Sequence, residues 1–177
     1  MPRLFTGLEI PAEIGASLML LRGGLPGARW VEPGDFHITL RFIGDVDDRT
    51  AGEVTQMLAG ISRRSFEVSL VGLDAFGGNK PRAVYVPVEA PPLLMELQAE
   101  HERLMQRIGL PAESRNYRPH VTLARLRDTS PRVVADYLAT RGLYRSPPIR
   151  VGRFVLFSSR ASVGGGPYVV EAAYPLL

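Results

Sequence analysis

His37-Ile38-Thr39-Leu40 and His120-Val121-Thr122-Leu123 are one tetrapeptide pattern written twice in the same chain. Each copy sits in a run that alternates polar with apolar residues. The first is Phe36-His37-Ile38-Thr39-Leu40-Arg41-Phe42, the second Pro119-His120-Val121-Thr122-Leu123-Ala124. Alternation with period two marks a strand buried on one side. His37, Thr39 and Arg41 then share one face, and Phe36, Ile38, Leu40 and Phe42 the other. In the second copy His120 and Thr122 oppose Val121 and Leu123. Each half of the chain thus offers an imidazole and a hydroxyl side by side on an apolar backing. Two of the three histidines in the chain open this pattern. That repetition distinguishes a paired site from two core strands that happen to carry His and Thr.

Around these stretches the pattern alternates between strand and helix. Met1 to Ile10 reads as a first strand, too short and too soon broken for a secretory signal. Pro11 opens a helix with an Ile14, Leu18, Leu21 stripe, ended by Gly23-Gly24. Trp30 to Gly34 is a turn feeding the His37 strand, and Gly44-Asp45 closes that strand. Asp47-Asp48 starts a second helix with Val54, Met57, Leu58 and Ile61 inward. Strands follow at 66–73 and 83–88, separated by the loop Gly77-Gly78-Asn79-Lys80-Pro81. Pro91-Pro92 opens the longest helix, running to about Gly109. His101 lies on it at the edge of packing and takes no catalytic role. Ser130-Pro131 caps a fourth helix, with Val134, Tyr137 and Leu138 inward. Residues 149–157 and 168–174 read as the last two strands, joined by a hairpin loop around Gly164-Gly165-Gly166.

No linker or low-complexity run divides the 177 residues. The expectation is an α+β fold, one bilobal domain over 1–177. Its two similar lobes face each other across a cleft where the His strands meet. The absence of cysteine excludes disulfides, thiolate nucleophiles and cysteine-bound zinc, and fits a reducing cytoplasm. No apolar run is long enough to span a membrane. The net charge of +3 rests on arginine, with Lys80 the only lysine, which permits an anionic ligand without requiring one. The Gly77–Pro81 loop lacks phosphate-loop spacing, and no Gly-x-Ser-x-Gly elbow is present. Neither histidine has a His or carboxylate cluster at ligand spacing, so no metal and no cofactor is expected.

Two facing imidazoles form a general acid–base pair. One takes a proton from water or a hydroxyl, and the other gives a proton to a leaving oxygen. A hydroxyl two residues along can donate to a phosphoryl oxygen, and arginines can balance the charge. This is the equipment for opening a phosphodiester without a metal.

The chain resembles the two-histidine (2H) phosphoesterase superfamily, whose mark is a pair of His-x-Thr/Ser-x motifs in two lobes. More narrowly it is similar to the bacterial RNA 2′,3′-cyclic phosphodiesterases, the 2′-5′ RNA ligase-like branch. The match spans essentially the whole chain. It takes in Arg3-Leu4-Phe5, Trp30-Val31-Glu32-Pro33, His37 to Gly44, Arg118 to Arg125 and Tyr174-Pro175-Leu176. The resemblance implies antiparallel sheets lining a cleft with helices outside. It also implies hydrolysis of RNA ending in a 2′,3′-cyclic phosphate to a 2′-phosphate.

By that resemblance His37 is the acid protonating the 3′ oxygen and His120 the base activating water. Thr39 and Thr122 hold the phosphoryl oxygens, and Arg125 matches a family arginine. Strict alternation, however, puts Arg118 and not Arg125 on the His120 face, unless the strand bulges near Ala124 or Arg125 reaches round its end. Arg41, on the His37 face, is a third phosphate candidate. Phe5, Phe76, Tyr117 and Tyr168 are candidates to stack on a base. The motif also permits weak, reversible 2′-5′ RNA ligation. Two alternatives share the fold: a phosphodiesterase for another small cyclic phosphate, and a non-catalytic RNA- or nucleotide-binding module. A monomer is the default.

Overall fold

The computed structural model describes residues 3–159 and 166–177, so the glycine loop expected around Gly164 lies mostly outside the described residues. The elements are β1 (Arg3–Glu9), α1 (Ala12–Met19), β2 (Ala28–Trp30), β3 (His37–Asp45), α2 (Asp48–Leu58), β4 (Phe66–Leu70) and β5 (Asp74–Phe76). They continue with β6 (Ala83–Glu89), α3 (Pro92–Arg107), β7 (His120–Leu126), α4 (Pro131–Arg141), β8 (Ile149–Val151), β9 (Arg153–Ser159) and β10 (Tyr168–Pro175). A single 3₁₀ turn, Pro33–Asp35, leads into β3. Helix starts follow local chemistry. The Asp47 carboxylate accepts the Thr50 N–H at 2.7 Å, and the Ser130 hydroxyl accepts the Val133 N–H at 3.2 Å.

The strands form two antiparallel sheets, in orders β10-β9-β1-β3 and β2-β7-β6-β4-β8, with β5 added to β6. The fold class is therefore α+β with two lobes, each His strand belonging to one sheet. The lobes are not the two halves of the chain, however. The run expected as one strand over 149–157 breaks at Gly152. Its first part, β8, pairs with β4, and its second, β9, pairs with β1. Ala28–Trp30, with only Trp30 expected in a turn, crosses to the other sheet as a short strand and pairs with β7. One continuous apolar core draws Leu8, Ile38 and Leu40 from the first sheet and Val84, Val86 and Val121 from the second. Leu58, Leu94, Leu97 and Met105 reach it from the helices. His101 is wholly buried there, not at the edge of packing.

The two His strands share one irregularity. Along β3, Phe5 pairs with Phe42, Thr6 with Arg41 and Gly7 with Thr39, so Leu40 has no partner. Along β7, Val84 pairs with Ala124 and Tyr85 with Thr122, so Leu123 has none. Each strand thus carries a bulge three residues beyond its histidine. A bulge shifts the alternation by one. Leu40 and Arg41 are buried in succession, as are Leu123 and Ala124. Phe42 and Arg125, each five residues past a histidine, emerge on the exposed side.

Candidate active site

β3 and β7 approach each other where the sheets meet. His37 and His120 begin these strands, and each is held by the same backbone device. The Nδ1 of His37 lies 2.9 Å from the Asp35 carbonyl, and that of His120 lies 2.6 Å from the Arg118 carbonyl. A carbonyl only accepts, so each Nδ1 carries the hydrogen and each neutral ring presents a bare Nε2. The Nε2 of His37 is 3.0 Å from the Thr39 hydroxyl. That of His120 has no hydrogen-bond partner among the described residues.

Aromatic rings wall both imidazoles. Phe5, Phe157 and Tyr168 surround His37 at centroid distances of 5.0, 5.6 and 5.0 Å. Phe76 and Tyr85 flank His120, each at 5.1 Å. Desolvation among these rings pushes both histidines below their ordinary range. For His37 the charges of His120 and Arg125 push the same way, against the Asp35 carbonyl and carboxylate, which favour the imidazolium. For His120 the Arg118 carbonyl alone opposes burial. The two histidines and Arg125 therefore share one electrostatic site.

The arginines separate once the bulges are taken into account. Arg125 lies in the cleft: its guanidinium is beside the Tyr168 hydroxyl and its charge acts on His37. Of the two ways for Arg125 to reach the His120 face, the bulge is the one observed. Arg118 lies beside the Tyr85 hydroxyl, as does Asp74. Arg41 is not on the His37 face. The bulge turns it inward, where its Nε donates to Glu102 and its other nitrogens to the carbonyls of Phe42 and Pro111. A guanidinium with these partners is fixed in the fold, away from the imidazoles.

Thr39 and Thr122 stand half-buried beside their histidines on the cleft side. Among the candidate stacking rings, Phe5 is 2% exposed and forms the floor under His37. Tyr117 is partly buried against the core, and its hydroxyl donates to the Thr39 carbonyl at 2.7 Å, tying the connector before β7 to β3. Phe76 and Tyr168 stay partly exposed. Sequence reading missed Tyr85 and Phe42; period two alone places Phe42 on the wrong face. Among the described residues, no three His, Asp or Glu side chains converge as metal ligands.

The architecture is that of a known class of bilobal α+β proteins. TT0787 of Thermus thermophilus superposes with a TM-score of 0.81 at 22% identity, covering 98% of this chain and 97% of that one. Escherichia coli LigT, solved with 3′-AMP, superposes with a TM-score of 0.80 at 24% identity, covering 99% of both chains. The family model of LigT-like phosphoesterases matches residues 8–86 and again 84–168, one copy of the model for each histidine motif. The chain belongs to the LigT-like phosphoesterase family.

Its curated relatives include proteins named RNA 2′,3′-cyclic phosphodiesterase. That of Aquifex aeolicus is 33% identical over 82% of this chain and 81% of its own length. That of Thermotoga maritima is 30% identical over 95% and 92%. That of Aeropyrum pernix is 41% identical over 59% of this chain, which spans 60% of that protein's length in the match. No helix among the described residues is long and apolar enough to cross a membrane.

Proposed function

We propose that this chain is an RNA 2′,3′-cyclic phosphodiesterase. It hydrolyses the cyclic end to a 2′-phosphate with His37 and His120 as a metal-independent acid–base pair, acting as a cytoplasmic monomer. The observation that carries the reading is the matched tautomer: both Nδ1 atoms are committed to backbone carbonyls, which leaves two Nε2 atoms for proton transfer. Its family membership and the names of its relatives support the substrate.

The neutral His120 Nε2 takes a proton from water as the water oxygen bonds to phosphorus. The bond from phosphorus to O3′ breaks, and the protonated His37 Nε2 delivers its hydrogen to O3′. Before the transfer, the Nε2–H of protonated His37 donates to the Thr39 oxygen, and it turns from there to O3′ as the bond to phosphorus breaks. The Thr39 hydrogen is then free for a non-bridging phosphoryl oxygen, with Thr122 supplying a second donor. Arg125 balances the charge that builds on those oxygens, and Arg118 lines the His120 side. Run in the same direction with a 5′-hydroxyl in place of water as the attacking group, the same steps give weak 2′-5′ ligation.

The test is a short RNA with a 2′,3′-cyclic phosphate, incubated with protein and EDTA, its product compared with 2′- and 3′-phosphate standards. We expect a 2′-phosphate, and turnover reduced about 10²- to 10⁴-fold by His37→Ala or His120→Ala. Loss of activity on chelation, a 3′-phosphate product, or undiminished turnover by either variant would reject the mechanism.

A further inference from the structure

A second cationic side chain stands beside Arg125 in a place that packing does not explain. β2 is the edge strand of its sheet, and its Arg29 is registered directly opposite Arg125 on β7. Directly opposed residues on antiparallel strands point to the same face, with Cβ atoms about 5 Å apart. Two further observations place that face toward the cleft. Arg125 lies beside Tyr168 of the other lobe. The next residue, Trp30, is registered with the fully buried Ala124 and packs on Tyr137 of α4, so Arg29 faces away from the core.

Like charges directly opposite each other destabilise a strand pair, and no acid among the described residues neutralises these two. Neither arginine forms an ion pair there, and residues 160–165 contain no Asp or Glu. Asp35, across the cleft, accepts the Tyr168 N–H at 3.1 Å. An edge strand gains protection from one charge, but that need does not call for a second arginine across from it. Two adjacent guanidinium forks match a phosphate that both can grip.

We propose that Arg29 and Arg125 form an anion clamp for the phosphodiester next to the reacting cyclic phosphate, with separate nitrogens of the Arg125 guanidinium serving the two phosphates. The site would then prefer the end of an RNA strand to an isolated nucleoside cyclic phosphate. This deepens the function proposed above and rests on it.

Three substrates separate the cases: adenosine 2′,3′-cyclic phosphate, the ApA dinucleotide with the same end, and that dinucleotide with a neutral methylphosphonate linkage. In the parent protein we expect kcat/KM for the charged dinucleotide about tenfold or more above both others. In Arg29→Gln that preference collapses toward unity, and the salt dependence of the dinucleotide KM becomes shallower by about 0.7 in log–log slope. A purely structural role for Arg29 would not distinguish a charged from a neutral linkage. Equal use of the three substrates by the parent, or an undiminished preference in Arg29→Gln, overturns the clamp. If the parent turns over none of them, the catalytic reading fails instead. The clamp is then decided by the affinity of parent and variant for ApA 2′-phosphate against its methylphosphonate analogue.

Discussion

Burial moves both cleft imidazoles the same way, and this sets the pH at which the pair can work. In the acid–base mechanism proposed above, the active form holds one proton on two rings, so kcat/KM should rise above the lower and fall above the higher macroscopic pKa of the free protein. Both histidines sit below their ordinary value of 6.5, His37 through desolvation first and then repulsion from His120 and Arg125. We therefore expect the kcat/KM optimum on the acid side of pH 6.5. A bound phosphate anion favours imidazolium, so the kcat profile should lie at higher pH. Separate profiles of the two constants check this, and a kcat/KM maximum above pH 7 would contradict it. Arg41 makes the opposite case, a cation committed to the fold. Burial alone would raise the Glu102 pKa, but the Arg41 side chain, the Glu113 N–H and Gln106 together bring it down to about 2. Arg41→Met strands that carboxylate, and we expect a loss of about 2–4 kcal/mol in urea denaturation. The histidines and threonines could be read from sequence because the alternation from His to Thr is completed before each bulge. Arg41 and Arg125 come after it, where strict alternation assigns each to the wrong face.

At the scale of elements, the paired bulges decide what lines the cleft. They bring Phe42 out on one strand and Arg125 on the other, so the lobes share a backbone device and differ in chemistry. A bulge leaves no mark in a run of apolar residues such as Leu123-Ala124. The break at Gly152 was equally hidden, since Ile149 to Phe157 reads as one apolar strand. The helices were more legible because Asp47, Ser130 and the prolines at 92 and 131 mark their starts. The seating of β3 on β1 depends on Gly7, where an added Cβ would lie 2.7 Å from the Ile38 carbonyl oxygen and 3.2 Å from the Phe157 ring. Gly7→Ala must push β3 outward beside His37. We expect about 1–3 kcal/mol of lost stability together with reduced kcat in the folded protein. Unchanged turnover would show that the strand spacing is not tied to the position of His37.

The whole molecule carries a proton-sensitive group remote from the cleft. His101 is fully buried on α3; its Nδ1 bonds the Leu97 carbonyl, and its Nε2 has no partner among the described residues. Burial lowers its pKa to about 4, with the Leu97 carbonyl and Glu100 pulling upward and Arg63 pushing down. Its stabilising contribution is complete above the unfolded value of 6.5 and fades as pH falls toward about 4. Over that window the fold should lose roughly 3 kcal/mol, read as a falling urea midpoint. In His101→Leu the slope should be shallower; an identical slope would clear His101 of the effect. The sequence reading found two lobes and a cleft, but not which strands build which lobe, because register between strands so far apart in the chain leaves no local signal.

That interleaving bears on how the protein is made. β1 lacks its neighbour β9 until residues 153–159 have been synthesised, and β4 lacks β8 until Ile149–Val151 have been made. Folding from the N-terminus as each half emerges is closed to this chain. A polypeptide stalled on the ribosome at residue 145 would already carry both histidines, yet neither would sit in a completed sheet.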